Sequence, residues 1–239
     1  MEAIILAGGL GTRLRSRLTD LPKPMAPVAG RPFLQILLDQ LLRAGCSRVL
    51  LSVGHLRHTI LQSFGDAYRG MPIAYVEEVR PLGTGGAIRM ALGAAAEPCV
   101  LVLNGDTYLA ADLPALLIAH RAQQSPMTMA VKQVDNRERY GGVLIEAGVV
   151  VGFTEKGQAG SGWINAGMYV LSRTFPWLAN LPERFSFEAD VLTPMVRQIR
   201  PGAFPCSGYF LDIGVPEDLD RAQLELARDP ADPPQSPSP

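Results

Sequence analysis

The chain has 239 residues, 47% of them hydrophobic, and 22 Lys and Arg against 23 Asp and Glu leave a formal net charge of −1. That length can bury a sizeable α/β core, and the near-balanced charge gives no basic surface for nucleic acid or an acidic membrane. No apolar run reaches the roughly 18 residues of a membrane span, and the N-terminus enters strand-like sequence without a signal-peptide n-region, so a cytoplasmic protein of small-molecule chemistry is expected.

An apolar strand over Glu2 to Ala7 runs into Gly8, Gly9 and Gly11 and then Arg13, with Leu21-Pro22-Lys23-Pro24 following. Glycines let backbone N–H groups approach phosphate oxygens without a Cβ in the way, while Arg13 and Lys23 add fixed positive charge. The loop is therefore expected to cradle a nucleoside triphosphate. Two commoner glycine loops do not fit. A P-loop would need Gly-x-x-x-x-Gly-Lys-[Ser/Thr], and the dinucleotide fingerprint started by Gly9 and Gly11 meets Leu14 where its third glycine belongs.

Next come a predicted helix over 32–44 closed by Gly45, a strand over Arg48 to Val53, a helix over 55–64, a strand over Ile73 to Val76, a helix over 84–96 and a strand over Cys99 to Leu103. This is a βαβ series, and its unbroken apolar strands suit a parallel sheet covered on both faces. Ligands of such a sheet bind at the carboxyl ends of strands, which puts the glycine loop and Asn104-Gly105-Asp106 on one edge. Asp112 is placed to cap a helix from Leu113. From Met127 the pattern changes to strands over Met127 to Val134, Val143 to Glu146, Val149 to Glu155, Trp163 to Leu171 and Tyr209 to Ile213, with helices over about Ser186 to Ile199 and Pro216 to Arg228. This half is expected to finish the sheet and build a lid. Residues 229–239, nearly all Pro, Asp, Ser and Ala, read as a disordered tail, leaving 1–228 as the folded domain.

Asp106 ends an apolar strand, and Asp212 in Phe210-Leu211-Asp212-Ile213-Gly214 repeats that arrangement. Two carboxylates completed by phosphate oxygens and water suit Mg²⁺, which is small, hard and octahedral, so Asp106 and Asp212 are the expected metal pair. Cys46, Cys99 and Cys206 are odd in number and widely spaced, as expected of reduced thiols. His55 and His58 read as a solvated helix face, not a zinc site.

Leu6-Ala7-Gly8-Gly9-Leu10-Gly11-Thr12-Arg13-Leu14, Leu21 to Met25, Pro81-Leu82-Gly83-Thr84-Gly85-Gly86-Ala87, Asn104-Gly105-Asp106, Tyr140-Gly141, Glu155-Lys156, Asn165-Ala166-Gly167 and Asp212-Ile213-Gly214 follow one another in an order that resembles the sugar-1-phosphate nucleotidyltransferases. The likeness covers nearly everything but the tail. Within that family, Pro81 to Ala87, Phe185-Ser186-Phe187-Glu188 and the compact length resemble the bacterial D-glycero-α-D-manno-heptose 1-phosphate guanylyltransferases, with the mannose-1-phosphate enzymes as near neighbours.

The resemblance implies a single-domain, Rossmann-like α/β nucleotidyltransferase fold, with a mixed, mostly parallel central sheet flanked by helices and a smaller β-rich lid over the sugar. It also implies in-line attack by a sugar 1-phosphate oxygen on the α-phosphorus of GTP, releasing pyrophosphate and a GDP-sugar for surface polysaccharide. Positioning and charge neutralisation with Mg²⁺ would supply the catalysis. Arg13 would grip the triphosphate and Lys23 the α-phosphate region. Leu6, Ala7, Gly8, Gly9, Gly11, Thr12, Gly83, Thr84, Asn104 and Asp106 would hold the nucleotide, although Thr84 could instead cap the helix beginning at Gly85. Lys156 would hold the sugar phosphate, while Gly141, Glu155, Asn165 and Gly167 would meet the sugar hydroxyls. Guanine offers N1–H and N2–H₂ donors, for which Glu77 or Glu78 is the nearest acceptor.

Two departures loosen the backbone near the sugar: Tyr140-Gly141-Gly142-Val143 where relatives often read Tyr-Gly-Val, and Glu155-Lys156-Gly157 where many read Glu-Lys-Pro. They leave the sugar open. Mannose 1-phosphate, or an amino sugar phosphate with UTP, would keep the reaction. A non-catalytic subunit sensing sugar nucleotides, or a glycosyltransferase, would change it. A homo-oligomer is left open.

Overall fold

The computed structural model describes residues 1–9, 11, 14, 18, 21–123 and 125–227. β1 (Glu2–Leu6) leads through the glycine loop and a hairpin, β2 (Pro27–Val28) and β3 (Arg31–Pro32), into α1 (Phe33–Arg43) and β4 (Arg48–Val53). α2 (Arg57–Phe64), β5 (Ala67–Tyr68), β6 (Met71–Glu77), α3 (Gly83–Ala94) and β7 (Cys99–Asn104) follow. Next are β8 (Thr107–Leu109), α4 (Leu113–Gln123), β9 (Met127–Val134), β10 (Gly142–Glu146), β11 (Val149–Thr154) and β12 (Gly162–Ser172). A π-helical turn, Phe187–Leu192, runs into α5 (Thr193–Ile199), and β13 (Gly202–Cys206), β14 (Phe210–Asp212) and α6 (Pro216–Glu225) complete the order.

Ten strands form one sheet in the order β10-β11-β13-β9-β12-β7-β1-β4-β6-β5. The sheet is mixed, and its parallel run is β7-β1-β4-β6. Beyond β7 the pairings are mainly antiparallel, because β12 enters against both β7 and β9, and Ala147-Gly148, both at positive φ, turn β10 straight back into β11. The mostly parallel sheet expected from the sequence thus describes the first half. β10 also bridges β12 at Gly142 and Ile164, so this end of the sheet curls onto itself and its edge is covered.

Strand alternation sends Ile5, Leu51, Leu101 and Leu103 into a core under α1, α4 and α6, and Ile4, Leu50, Val100 and Val102 into a second core under α3 and α5. Burial on both faces is what made these strands unbroken apolar runs. Asp112 caps α4, its Oδ1 accepting from Ala115 N–H at 2.9 Å, and Gly45 closes α1 at φ +74°.

Three expectations change. The strand expected over Tyr209 to Ile213 is the shorter β14, which pairs with β8 outside the main sheet. β13, seated between β11 and β9, went unforeseen because Pro205 interrupts a five-residue run and Pro argues against an inner strand. His55 precedes α2, so it does not share a helix face with His58. The tail expected over 229–239 lies outside the described residues. Among those described, no helix is long and apolar enough to cross a membrane.

Candidate active site

The carboxyl ends of β1, β6 and β7 open onto a cavity of about 430 Å³. Leu6, Gly8, Gly9 and Gly11 line it from the end of β1 and the glycine loop, Glu78 from just past β6, and Gly83 and Thr84 from the start of α3. Lys23, Asn104 and Asp106 line it from the third side. Ala7 does not. It is fully buried and donates its N–H to Ser52 O at 2.8 Å, because strand alternation turns it into the core. Thr12 and Arg13 lie outside the described residues.

Close backbone approach explains two of the glycines. Gly105 N–H donates to Leu6 O at 3.1 Å, and a Cβ on Gly105 would overlap that carbonyl. A Cβ on Gly8 would overlap Glu78 Oε1. Glu78 itself is buried, with Ser52 Oγ donating to Oε1 at 3.0 Å and Leu82 N–H to Oε2 at 3.1 Å. Glu77 points elsewhere and pairs with Arg57 at 2.9 Å on the surface. The structure thus separates the two glutamates that sequence left open: only Glu78 faces the cavity, as a fixed, acceptor-only group.

The two aspartates come together as expected. β14 pairs with β8, with Asp212 opposite Thr107, and Ile213 N–H donates to Asp106 O at 2.9 Å. Lys23, at the start of a 3₁₀ turn, places Nζ 2.5 Å from Asp106 Oδ2 and 4.0 Å from Asp212 Oδ1. One ammonium therefore serves two carboxylates. Asp212 Oδ1 is buried and accepts no hydrogen bond of normal geometry among the described residues. Burial first, and then the charge of Asp106, push the Asp212 carboxyl above its ordinary value, against the pull of Lys23 and the Gly214 amide.

The glycines of Pro81 to Ala87 also receive another segment. α3 begins at Gly83, whose φ is +70°, and a Cβ there would overlap Phe185 O, as one on Gly85 would overlap the Phe185 ring. Gly85 N–H donates to Phe185 O at 3.0 Å, and Phe187 N–H donates to Thr84 Oγ1 at 2.9 Å. Thr84 therefore does not cap α3; it ties that helix to Phe187. Arg89 holds the same segment through the carbonyls of Leu178, Leu181 and Pro182. This docking brings Arg184, Phe187 and Glu188 to the cavity. None was assigned a role from sequence, although Ser186 carries a capping signal: its Oγ accepts from Ala189 N–H at 3.1 Å and its own N–H donates to Asp190 Oδ2 at 2.7 Å.

Of the residues expected around the sugar, Asn165 and Gly167 adjoin residues that line this cavity. Asn165 spends its amide on protein, with Nδ2 donating to Tyr169 Oη at 2.6 Å and to Glu188 Oε1 at 2.9 Å while Oδ1 accepts from Gly167 N–H at 3.0 Å. Gly167, at φ +69° in an irregularity of β12, leaves room for Asn104, whose Nδ2 a Cβ would approach to 2.7 Å. Glu155 and Lys156 are exposed after β11, and Gly141 precedes β10 with Tyr140 set edge-on to Phe210 at 5.7 Å. Glu188 joins the two halves. Loss of hydration raises its carboxyl above the ordinary value; the charge of Lys156 opposes this and that of Asp106 adds to it.

A glycine-floored cavity with a lysine between two carboxylates beside it, at the carboxyl edge of the sheet, is the candidate active site. The sequence model of the family described as Nucleotidyl transferase matches residues 2–229, and the chain belongs to that family. It is 42% identical to the D-glycero-alpha-D-manno-heptose 1-phosphate guanylyltransferase of Aneurinibacillus thermoaerophilus, over 95% of this chain and 98% of that one. It is 35% identical to a mannose-1-phosphate guanylyltransferase of Mycobacterium tuberculosis, over 95% of this chain and 65% of the relative. The crystal structure of HddC from Yersinia pseudotuberculosis complexed with GMP-PN superposes with a TM-score of 0.82 at 36% identity, covering 94% of this chain and 99% of that chain.

Proposed function

We propose that this enzyme transfers GMP from GTP to D-glycero-α-D-manno-heptose 1-phosphate, releasing pyrophosphate and forming a GDP-heptose for surface polysaccharide. The base assignment rests on Glu78. Its carboxylate is buried at the cavity wall, fixed by Ser52 and Leu82, and can only accept hydrogen bonds. Guanine offers two adjacent donors on one edge, uracil and thymine one donor between two acceptors, and adenine a donor beside an acceptor. The full-length likeness to a heptose 1-phosphate guanylyltransferase supports the sugar.

The reacting groups are a dianionic sugar phosphate and a polyanionic triphosphate, so charge neutralisation is the main requirement. Lys23 stands where a cation between Asp106 and Asp212 would stand, and Asp212 Oδ1 is buried with only the shared Lys23 ammonium, 4.0 Å away, to balance it, so the pair fits a Mg²⁺ ion. When bound, that ion supplies Lewis-acid neutralisation of phosphate oxygens. Lys23 would turn to the α-phosphate, Arg184 would add a guanidinium at the cavity, and Arg13 would grip the triphosphate from the glycine loop. Lys156 would hold the sugar phosphate, and Glu188, braced by Asn165, would accept from a hydroxyl. A cytoplasmic location and a homo-oligomer are compatible with this chemistry, and 1–228 would form its catalytic domain.

Pyrophosphate release with GTP, ATP, UTP, CTP and dTTP against heptose, mannose, glucose and N-acetylated sugar 1-phosphates tests the proposal. GTP with the heptose phosphate should turn over fastest. Faster reaction of mannose 1-phosphate would replace the sugar, a preference for UTP would overturn the base, and no turnover with any pair would favour a sensing subunit.

A further inference from the structure

Arg137, in the turn between β9 and β10, is a cation with no carboxylate partner among the described residues. Its side chain lies between two glycines: a Cβ on Gly142 would overlap Arg137 Nη1 and Thr154 Oγ1, and one on Gly162 would come within 3.1 Å of Arg137 Cδ. Nη1 donates to Thr154 Oγ1 at 3.2 Å, the oxygen that Gly142 N–H also reaches at 3.2 Å, while Nε is buried without a hydrogen-bond partner. The backbones interlock at the same place. Arg137 N–H donates to Gly160 O at 3.1 Å, Gly157 N–H to Glu138 O at 2.8 Å, and Tyr140 N–H to Arg137 O at 2.8 Å.

An orphaned guanidinium N–H opposes folding, a cost that filling space alone does not account for. Arg137 instead bridges the segment carrying Tyr140-Gly141 and the one carrying Glu155-Lys156. We infer that Arg137 is a positioning residue for the sugar 1-phosphate: it fixes the spacing of those two segments through Thr154 and lends them positive charge, and Gly142 follows Gly141 to make room for its guanidinium. This rests on the sugar-binding reading of Gly141, Glu155 and Lys156 given above.

Steady-state kinetics with GTP and the heptose phosphate on R137A, G142A and R137A/G142A, with E155Q and K156A alongside, test it. R137A should raise KM for the sugar phosphate about tenfold and leave KM for GTP within about twofold, a split that a general loss of structure would not produce. G142A should match it, because its Cβ displaces both the guanidinium and the Thr154 Oγ1 through which Arg137 acts, and the double variant should raise the sugar KM at least as far as R137A. If R137A melts below the assay temperature, R137Q carries the same two outcomes. An unchanged sugar KM in R137A, or equal rises in both KM values, overturns the inference. If E155Q and K156A also leave the sugar KM unchanged, the sugar-binding reading itself fails; if they raise it while R137A does not, the role of Arg137 alone fails.

Discussion

β1 begins beside a buried carboxylate and ends beside two half-buried ones, and the two ends are treated in opposite ways. At its start Glu2 accepts from Ala96 N–H at 2.6 Å, Glu97 N–H at 2.8 Å and Arg48 Nη1 at 2.8 Å. Burial alone would raise its carboxyl, but these donors outweigh it and hold the group below its ordinary value. Just past the other end, Asp106 and Asp212 share Lys23, and Asp212 is pushed up. A carboxylate whose partners are all present is part of the frame; one left short of positive charge is set for a cation and a polyanion.

The contrast breaks most visibly if the two ends are neutralised in turn. At the ligand end, K23A and D106N should each lower turnover at least about a thousandfold, about 4 kcal/mol of transition-state stabilisation, with far-ultraviolet circular dichroism unchanged. Near wild-type rates would remove those residues from the reaction. D212N should also cut turnover sharply, yet raise the melting temperature at neutral pH, because it deletes a charge the fold disfavours. The sign follows from linkage: a carboxyl raised in the folded state favours the protonated form, so its charge costs stability above the folded pKa, and that cost disappears as pH falls through it. A lower melting temperature for D212N would contradict the reading.

E78Q sharpens the base assignment. Replacing one acceptor by a donor should reduce the preference for GTP over UTP about tenfold or more, read from kcat/KM with each triphosphate. At the opposite end, E2Q should lower stability by about 1–3 kcal/mol in urea unfolding and leave kcat intact. Glu2 is held low, so its contribution is full above the usual glutamate pKa and lost as pH falls through the folded value. The stability gap between wild type and E2Q should therefore close in acid.

Much of the ligand end was legible because it is written in local runs. An apolar strand ending in glycines and Asp106 just past another could be placed on one edge by strand period alone, whereas Asp212 closes a short strand outside the main sheet. What stayed hidden depends on contacts far apart in sequence. Gly83 and Gly85 looked like part of a nucleotide loop, and only the docked Phe185 shows that they also admit a segment about 100 residues downstream, which delivers Arg184 and Glu188. The motif points Asn165 at the sugar, and its amide also braces Glu188, a contact no local run announces. The second glycine of Gly141-Gly142 read as a loosened loop, whereas it makes room for Arg137.

On the function proposed above, the carboxyl end of β1 is held short of positive charge so that a metal-bound triphosphate can supply it. Thermal unfolding with GTP in EDTA and with GTP in Mg²⁺ measures this directly. Wild type should gain a clear further rise in melting temperature from Mg²⁺, and D106N and D212N should gain none. An equal Mg²⁺-dependent rise in all three proteins would contradict the account.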